Sequence, residues 1–310
     1  MTTLAAEVQH FAGSPAWTWY ILFYFFFAGL SGGSYFIATL FRLRGEPSDL
    51  PVARLGYYVA FLTLLVCPAL LILDLGTPLR FWHMMWNTTP GGAGLNFKYW
   101  SPMSVGVWAL TVYGLFATVS FLEALAGDLR SKRLLHGAAG KAFLVAGAIV
   151  ALFIAGYTGV LLSVSNQPVW SDTWALGGLF LASGLSGSAA LLLFLVRYRP
   201  AAQPSARPLS TAERLYAILE LALIVIFAVT LLWAGALDTA LAFPWTLLWL
   251  VALIGLLPGI GGLPAGRRAV TAEGVTVPAR PASATMSVAI PVLVLLGVLA
   301  LRAAVIFGAQ

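Results

Sequence analysis

Few side chains in this sequence could do chemistry, and most of those that could lie in or beside long apolar runs. Asp74 ends one such run, and the polar segment that follows it contains His83. Tyr24 and Tyr157 lie inside two other apolar runs, where a buried hydroxyl needs a hydrogen-bond partner. Carboxylate, imidazole and phenol groups are the types that bind polar groups and exchange protons with them. These four residues are therefore candidates for a functional site.

Each candidate also has a structural interpretation. Asp74 is placed to pair with Arg80 and close the connection after its helix, and His83 could cap that connection or be solvated. Trp19 and Tyr20 begin the first apolar run, where aromatic residues are typical of the belt at a membrane interface. The residues alone leave both interpretations open.

Three ionisable residues stand apart from this group. Glu220 is expected about 9 Å inside the sixth apolar run, where it could pair with an arginine or carry protons from the inner side. Glu123, near the inner end of the third run, is a second candidate for a proton path unless its carboxylate snorkels to water. Arg302 is expected near the outer interface, with its guanidinium extended into water.

The composition requires a membrane protein with many helices. Of 310 residues, 60% are hydrophobic and 9% are charged, against about 25% charged in an ordinary soluble domain. The apolar runs are about 20 residues long, the length of a spanning helix, and they lack the alternation typical of a transmembrane β-barrel. We predict an all-α integral membrane protein with eight transmembrane helices, at about 17–41, 56–74, 103–125, 142–163, 175–196, 215–236, 243–263 and 286–307.

The cysteine and histidine content excludes several cofactors. A single cysteine, Cys67, cannot hold an iron–sulfur cluster, which needs about four ligands. The histidines, His10, His83 and His136, lie at or beyond the ends of the runs, so no pair faces into a bundle to bind haem. We therefore predict no haem, iron–sulfur cluster or other metal in this chain. The net charge of +6 reports membrane orientation and does not indicate nucleic-acid binding.

The distribution of the 17 Lys and Arg residues predicts the topology. Most of them lie in the connections after the first, third, fifth and seventh runs, which the positive-inside rule places in the cytoplasm. Both termini are then on the outer, periplasmic side of the cytoplasmic membrane, with an outer segment at 1–16. In this topology the outer ends of the first, second and fourth runs bring Tyr24, Asp74 and Tyr157 to one side of the membrane.

The two halves of the sequence repeat one another. The sequence Gly-Leu-Ser-Gly occurs at 29–32 and again at 184–187. Both copies open a four-span half in the same direction, so we predict two parallel-related four-helix bundles at 17–164 and 165–310. The second half includes a Pro- and Ala-rich cytoplasmic linker at 265–285. The simplest role of the repeated small residues is close helix packing, because they let helix backbones approach.

Several short motifs follow one another along the sequence. They are FFFAGLSGG at 25–33, DLGTPLRFW at 74–82, SPMS at 101–104, and GYTG at 156–159 followed by QPVW at 167–170. In this order they resemble the NrfD/PsrC family, the membrane subunits of respiratory molybdopterin and iron–sulfur complexes such as polysulfide reductase. The resemblance covers the first half best, whereas the second half contributes its number of spans and few motifs.

The resemblance implies a quinone, menaquinone or ubiquinone, bound near the outer face. It implies two partners on that face, an iron–sulfur subunit with four clusters and a molybdopterin catalytic subunit, with lipid around the helices. Tyr157 matches the family tyrosine that hydrogen-bonds a quinone carbonyl. Tyr24 and Ile21 stand where polysulfide reductase has a histidine and an asparagine that also reach the quinone. Because tyrosine is not a base near neutral pH, Asp74 or His83 becomes the candidate proton acceptor.

We therefore hypothesise a quinone-reactive membrane anchor of an oxidoreductase complex, which exchanges electrons with an iron–sulfur partner at the outer face. The residues assigned to quinone binding are Tyr157, Tyr24, Trp19 and Tyr20. Asp74 and His83 are assigned to proton exchange with the quinone, and Glu220 and Glu123 to a proton path. One alternative is a proton-conducting or transporter-like bundle that uses Glu220. Another is a structural anchor without a quinone, in which Tyr157 and Asp74 are packing and capping residues.

Overall fold

The long helices of the protein position most of the candidate residues. The computed structural model describes residues 17–130, 135–261, 268–270, 276–278 and 284–310. Its long helices are α1 (Trp19–Arg44), α2 (Leu50–Asp74), α3 (Pro102–Arg130), α4 (Gly137–Ser163), α5 (Leu176–Val196), α6 (Ala206–Ala234), α7 (Trp245–Gly261) and α8 (Ala284–Phe307). The predicted segment 1–16 and most of the predicted linker 265–285 lie outside the described residues.

Short elements connect these helices. They are the 3-10 segments Pro47–Asp49, Pro78–Met84 and Pro200–Ser205, the helical turn Leu237–Ala240, and the strand pairs Trp86–Asn87 with Gly94–Leu95 and Arg268–Val270 with Thr276–Pro278. Both strand pairs are antiparallel, and Trp86 lies opposite Leu95 in the first. The first pair and the segment Pro78–Met84 together fold the long connection between α2 and α3.

The helices have the length and composition of membrane spans. Seven of the described helices, all except α7, are long and apolar enough to cross a membrane. The prediction of an all-α integral membrane protein is therefore confirmed. α7 has 17 residues, about 25 Å of helix at 1.5 Å per residue, and lies at the lower limit for a span.

The contacts between helices fall into two sets that meet at α1 and α5. α1 packs against α2 and α4, and α3 packs against α2 and α4. α5 packs against α6 and α8, and α7 packs against α6 and α8. α1 and α5 also pack against each other, which makes them the central pair of the molecule.

The repeated small residues allow α1 and α5 to approach closely. A Cβ atom on Gly33 would lie 2.7 Å from the carbonyl oxygen of Gly184, and one on Gly184 would lie 2.9 Å from that of Gly29. Real Cβ atoms do not approach backbone atoms so closely, so glycine is needed where the two copies of the repeat cross. The repeated glycines Gly29 and Gly184 therefore pack the two helices together, as expected from the sequence.

Ion pairs join the helices at the opposite end from Asp74. Arg42 Nη2 donates to Glu123 Oε1 at 2.5 Å, and both side chains are largely buried. Asp128 on α3 accepts from Arg54 at 2.7 Å and from Arg199 at 2.6 Å. The alternative in which the Glu123 carboxylate snorkels to water is therefore excluded, because an arginine of α1 holds this carboxylate inside the protein.

Arg302 is the largest departure from the sequence-based expectations. Its side chain is completely buried, and it does not extend into water near the interface as predicted. The guanidinium donates to Ser183 Oγ at 2.7 Å, to the carbonyl oxygens of Phe180 and Val298 at 3.1 Å, and to that of Phe25 at 3.3 Å. Periodicity explains the error: Arg302 lies on the face of α8 that packs against α1 and α5, so water is not within reach of its guanidinium.

Candidate functional site

A cavity lies among the first four helices, at the end of the bundle where α2 ends and α3 begins. Its volume is about 140 Å³. The wall is mostly apolar, with Ile21, Leu71 and Met103 among its residues, and its polar side chains are Tyr24, Asp74 and Tyr157. Three residues from three different helices, singled out by type and position, thus meet in one cavity.

Local packing explains why the two tyrosines face the cavity. Ile21 and Tyr24 are three residues apart on α1, so they lie on one face of that helix. Tyr157 of α4 faces Gly106 of α3, and a Cβ atom on Gly106 would lie 2.6 Å from Tyr157 Cζ. The absence of a side chain at Gly106 therefore makes the space that the Tyr157 ring occupies, a requirement that the sequence pattern did not reveal.

The two tyrosine hydroxyls differ in their hydrogen bonds. The Tyr157 hydroxyl donates to the carbonyl oxygen of Pro102, at the first residue of α3. The Tyr24 side chain is 4% exposed, and its hydroxyl has no hydrogen-bond partner among the described residues. A buried hydroxyl without a partner is unfavourable, so Tyr24 presents a free donor and acceptor to whatever occupies the cavity.

Asp74 is the last residue of α2 and lies half-buried at the edge of the cavity. Its Oδ1 accepts a hydrogen bond from the Thr18 hydroxyl at 3.2 Å. Thr18 is also the N-cap of α1, because its hydroxyl oxygen accepts from the Tyr20 backbone N–H. The pairing with Arg80 that the sequence allowed is absent from the described residues, where Arg80 is exposed. One oxygen of Asp74 is thus held by α1 and the other remains available.

Three predicted site residues are not among the described residues that line the cavity. His83 stacks on Trp82 at 3.9 Å between ring centroids, and its Nδ1 lies 3.2 Å from the carbonyl oxygen of Arg80. Trp19 and Tyr20 are exposed, and Trp19 packs against Phe307. Trp19 lies about 200° around the helix from Ile21 at 3.6 residues per turn. These placements fit a capping histidine and an interfacial aromatic belt, and they leave the three side chains away from the cavity wall.

A second polar group is buried among α5, α6, α7 and α8. Glu220 and Glu213 are 1% and 0% exposed, and neither Glu213 oxygen has a partner among the described residues. Glu220 and Arg302 are close enough to interact electrostatically. Glu213 escaped the sequence analysis because the sixth span was predicted to begin at 215, whereas α6 begins at Ala206. Glu213 could have been found from its spacing of seven residues from Glu220, because this spacing puts both carboxylates on one face of a helix.

Comparison with known proteins identifies the family. The profile described as Polysulphide reductase, NrfD, matches residues 7–310. The protein belongs to this family. Among the described residues, no group of three or more His, Cys, Asp or Glu side chains could hold a metal ion.

Three curated proteins are similar to this one. A polysulfide reductase subunit of Wolinella succinogenes is 30% identical over 183 residues, which cover 55% of each protein. A protein NrfD homolog of Haemophilus influenzae is 28% identical over 82% of this sequence and 85% of its own length. A selenate reductase subunit of Mesobacillus selenatarsenatis is 27% identical over 35% of this sequence and 22% of its own length. The alignment thus spans about half the length of the polysulfide reductase subunit.

The motifs that carried the resemblance have different physical roles in the fold. The glycines at 29 and 33 pack α1 against α5, and Gly159 packs α4 against the start of α5. Within the segment 74–82, Asp74 and Leu75 line the cavity, and the remainder forms the turn and 3-10 segment that follow α2. Family motifs here therefore maintain helix packing as well as the candidate site.

Proposed function

We propose that the protein is a quinone-reactive membrane anchor of an oxidoreductase complex. The observation that carries the proposal is the cavity in which Tyr24, Asp74 and Tyr157 meet at the outer ends of α1, α2 and α4. The partnerless hydroxyl of Tyr24 fits the carbonyl or hydroxyl oxygen of a quinone head group. Two of the relatives are named as parts of a polysulfide reductase and a selenate reductase, and these names support a role as one subunit of a reductase.

The membrane arrangement is part of the same proposal. All eight long helices cross the cytoplasmic membrane, with α7 as a short span, and 17–164 and 165–310 form two four-helix bundles with both termini outside. The two sets of helix contacts support the bundles. The distribution of basic residues supports the orientation.

The residues of the cavity have distinct roles in this proposal. A bound menaquinone or ubiquinone supplies the electron- and proton-transfer chemistry. Tyr24 donates a hydrogen bond to the head group. The Tyr157 hydroxyl, whose proton is directed at Pro102, accepts one through its oxygen. Asp74 takes up and returns protons through the oxygen that Thr18 leaves free.

The outer connection between α2 and α3 is the proposed docking surface for an iron–sulfur partner, to which a molybdopterin catalytic subunit is attached. Tyr99 and Trp100 of this connection are 76% and 68% exposed. Aromatic residues are enriched in protein interfaces. Met84 of this connection lines the cavity, so a partner docked on the connection would be close to the quinone. Electrons pass between the two across the outer face.

Replacement of either tyrosine by phenylalanine tests the head-group assignment. In the purified complex, we expect Tyr24→Phe to raise the Kd of a fluorescent quinol-site inhibitor about tenfold, the value of one hydrogen bond to a buried partner. Tyr157→Phe leaves Pro102 without its donor and is expected to weaken binding to a similar extent. The conversion Tyr113→Phe, at a buried tyrosine bonded to Ser31, is the matched control. Unchanged binding and turnover in both site variants would favour a structural anchor without a quinone.

A second candidate function, proton conduction, is favoured by Glu213 and Glu220. Their seven-residue separation corresponds to about 10 Å along α6, and ionisable groups buried in membrane proteins often mark proton paths. Glu123 does not join them, because Arg42 holds it in the first set of helices. In this candidate the second half moves protons from the cytoplasm while the first half binds quinone.

Proton conduction predicts a change in stoichiometry. In vesicles that contain the complex, Glu220→Gln is expected to lower the number of protons moved per electron while electron transfer to quinone continues. Glu46→Gln, at an exposed position on the inner side, is the control and should leave the ratio unchanged. An unaltered ratio in Glu220→Gln would eliminate this candidate and leave a structural role for the buried carboxylate.

A further inference from the structure

An apolar groove continues from the cavity along the surface between α2 and α3. Its first section, of about 200 Å³, shares Leu71, Leu75, Met84 and Val107 with the cavity wall. Its second section, of about 380 Å³, shares Pro68, Leu110 and Thr111 with the first. The two sections, defined here as the α2–α3 groove, therefore form one path that leads away from Tyr24 and Asp74.

Gly114 and Pro68 stand out among the mostly large apolar residues that line the groove. Apart from the neighbouring backbone of its own helix, no described atom lies within 4 Å of the place where a Cβ atom on Gly114 would stand. Pro68 lies inside α2 and lacks the N–H group that donates a backbone hydrogen bond in a helix interior. The groove therefore has open space beside Gly114 on α3, opposite the α2 wall that contains Pro68.

The polar groups of the groove are already satisfied. Thr111 Oγ1 donates to the carbonyl oxygen of Val107 at 2.9 Å, and Thr118 Oγ1 donates to that of Gly114 at 2.7 Å. Their methyl groups and the side chains of Phe61, Leu64 and Leu115 complete the wall. Since none of these groups needs a polar ligand, the wall of the groove is suited to a hydrocarbon chain.

We propose that the α2–α3 groove holds the isoprenoid tail of the quinone and is its entrance from the membrane. This inference rests on the proposed function. Leu75 and Phe61, at the two ends of the groove on α2, are fourteen residues apart, about 21 Å of helix at 1.5 Å per residue. The groove is thus a binding surface for several isoprene units, and it is continuous with the cavity that holds the head group.

A second surface groove is less suited to this role. It lies among α3, α4 and α5, has a volume of about 520 Å³, and contains Phe153, Trp174 and Gly178. Its single residue in common with the cavity is Tyr157, whose ring stands between the two spaces and is tied to Pro102. A tail in this second groove would have to pass that ring, whereas the α2–α3 groove is open to the cavity along a shared wall.

Matched glycine substitutions test the assignment. Gly114→Leu places a branched side chain in the α2–α3 groove, and Gly178→Leu does so in the second groove, where the nearest atom to a new Cβ is 3.4 Å away. Both exchange a helical glycine for a better helix former. The complex in nanodiscs is titrated with menaquinone, and separately with a short-tailed analogue with the same head group, by displacement of the fluorescent inhibitor.

The expected result is a selective loss. Gly114→Leu raises the Kd of menaquinone about tenfold and leaves that of the short-tailed analogue unchanged, and Gly178→Leu changes neither. Leu65→Phe, from the opposite wall of the α2–α3 groove, reproduces the selective loss. The tail assignment would be overturned if Gly114→Leu and Leu65→Phe changed the Kd of both quinones equally, or if they changed neither Kd. A selective loss of menaquinone binding in Gly178→Leu would also overturn it. In each of these cases the proposed quinone function stands. Failure of the native complex to bind either quinone would instead overturn the proposed function.

Discussion

Arg302→Leu is expected to lower the free energy of unfolding by about 3–5 kcal/mol, because it removes one member of a buried charge network. The guanidinium donates to Phe25 of α1 and to Phe180 and Ser183 of α5. Its loss removes these hydrogen bonds and leaves Glu220 without a nearby cation. The contact between α8 and the central helix pair is weakened at the same time. Thermal unfolding of the detergent-solubilised protein, followed by tryptophan fluorescence, measures the effect.

Three companion variants separate charge from packing. Arg302→Lys keeps the charge but loses the planar fork that reaches several acceptors at once, so we expect an intermediate loss. Combining Arg302→Leu with Glu220→Leu removes the uncompensated carboxylate and should recover part of the stability. Arg80→Leu, at an exposed position, should leave the unfolding temperature unchanged. A single Arg302→Leu variant as stable as the native protein would contradict the network.

The sequence predicted the helices well where hydrophobicity alone decides them. Every apolar run has a corresponding long helix, but some helices extend further than predicted: α6 begins at Ala206 and not near 215, and α3 continues to Arg130 beyond 125. Apolar runs mark the part of a helix in hydrocarbon, whereas capping and ion pairs set where it ends. Glu213 was missed for this reason.

The faces of the helices were harder to predict than their positions. Arg302 lies close to the C-terminal end of α8, and depth alone predicts that it snorkels, but its direction toward α1 and α5 decides that it is buried. Tyr24, Asp74 and Tyr157 meet in one cavity because the ends of α1, α2 and α4 that carry them lie side by side. His83 did not join them because a 3-10 segment and a stack on Trp82 direct it elsewhere, and local sequence patterns do not encode such a loop conformation.

Asp74→Asn is expected to slow electron transfer between quinol and the iron–sulfur partner about 10²-fold or more, the usual contribution of a general acid–base group. Asparagine preserves the size of the side chain and can still accept from Thr18, but it cannot take up a proton. The head-group hydrogen bonds of Tyr24 and Tyr157 remain, so the Kd of the fluorescent inhibitor should change little. Stopped-flow oxidation of quinol by the complex measures the rate, and inhibitor titration measures the binding.

The proposed role of Asp74 as proton acceptor also predicts the effects of Asp74→Glu and of substitution at His83. Asp74→Glu retains a carboxylate at the end of α2 and should restore most of the rate, with a reduced fit to Thr18. His83→Gln should have a far smaller effect than Asp74→Asn, because His83 is not among the described residues that line the cavity. An unchanged quinol rate in Asp74→Asn, together with a large loss in His83→Gln, would transfer the proton role to the histidine. Such a result would require the connection after α2 to change conformation when the partner docks, because His83 now packs on Trp82.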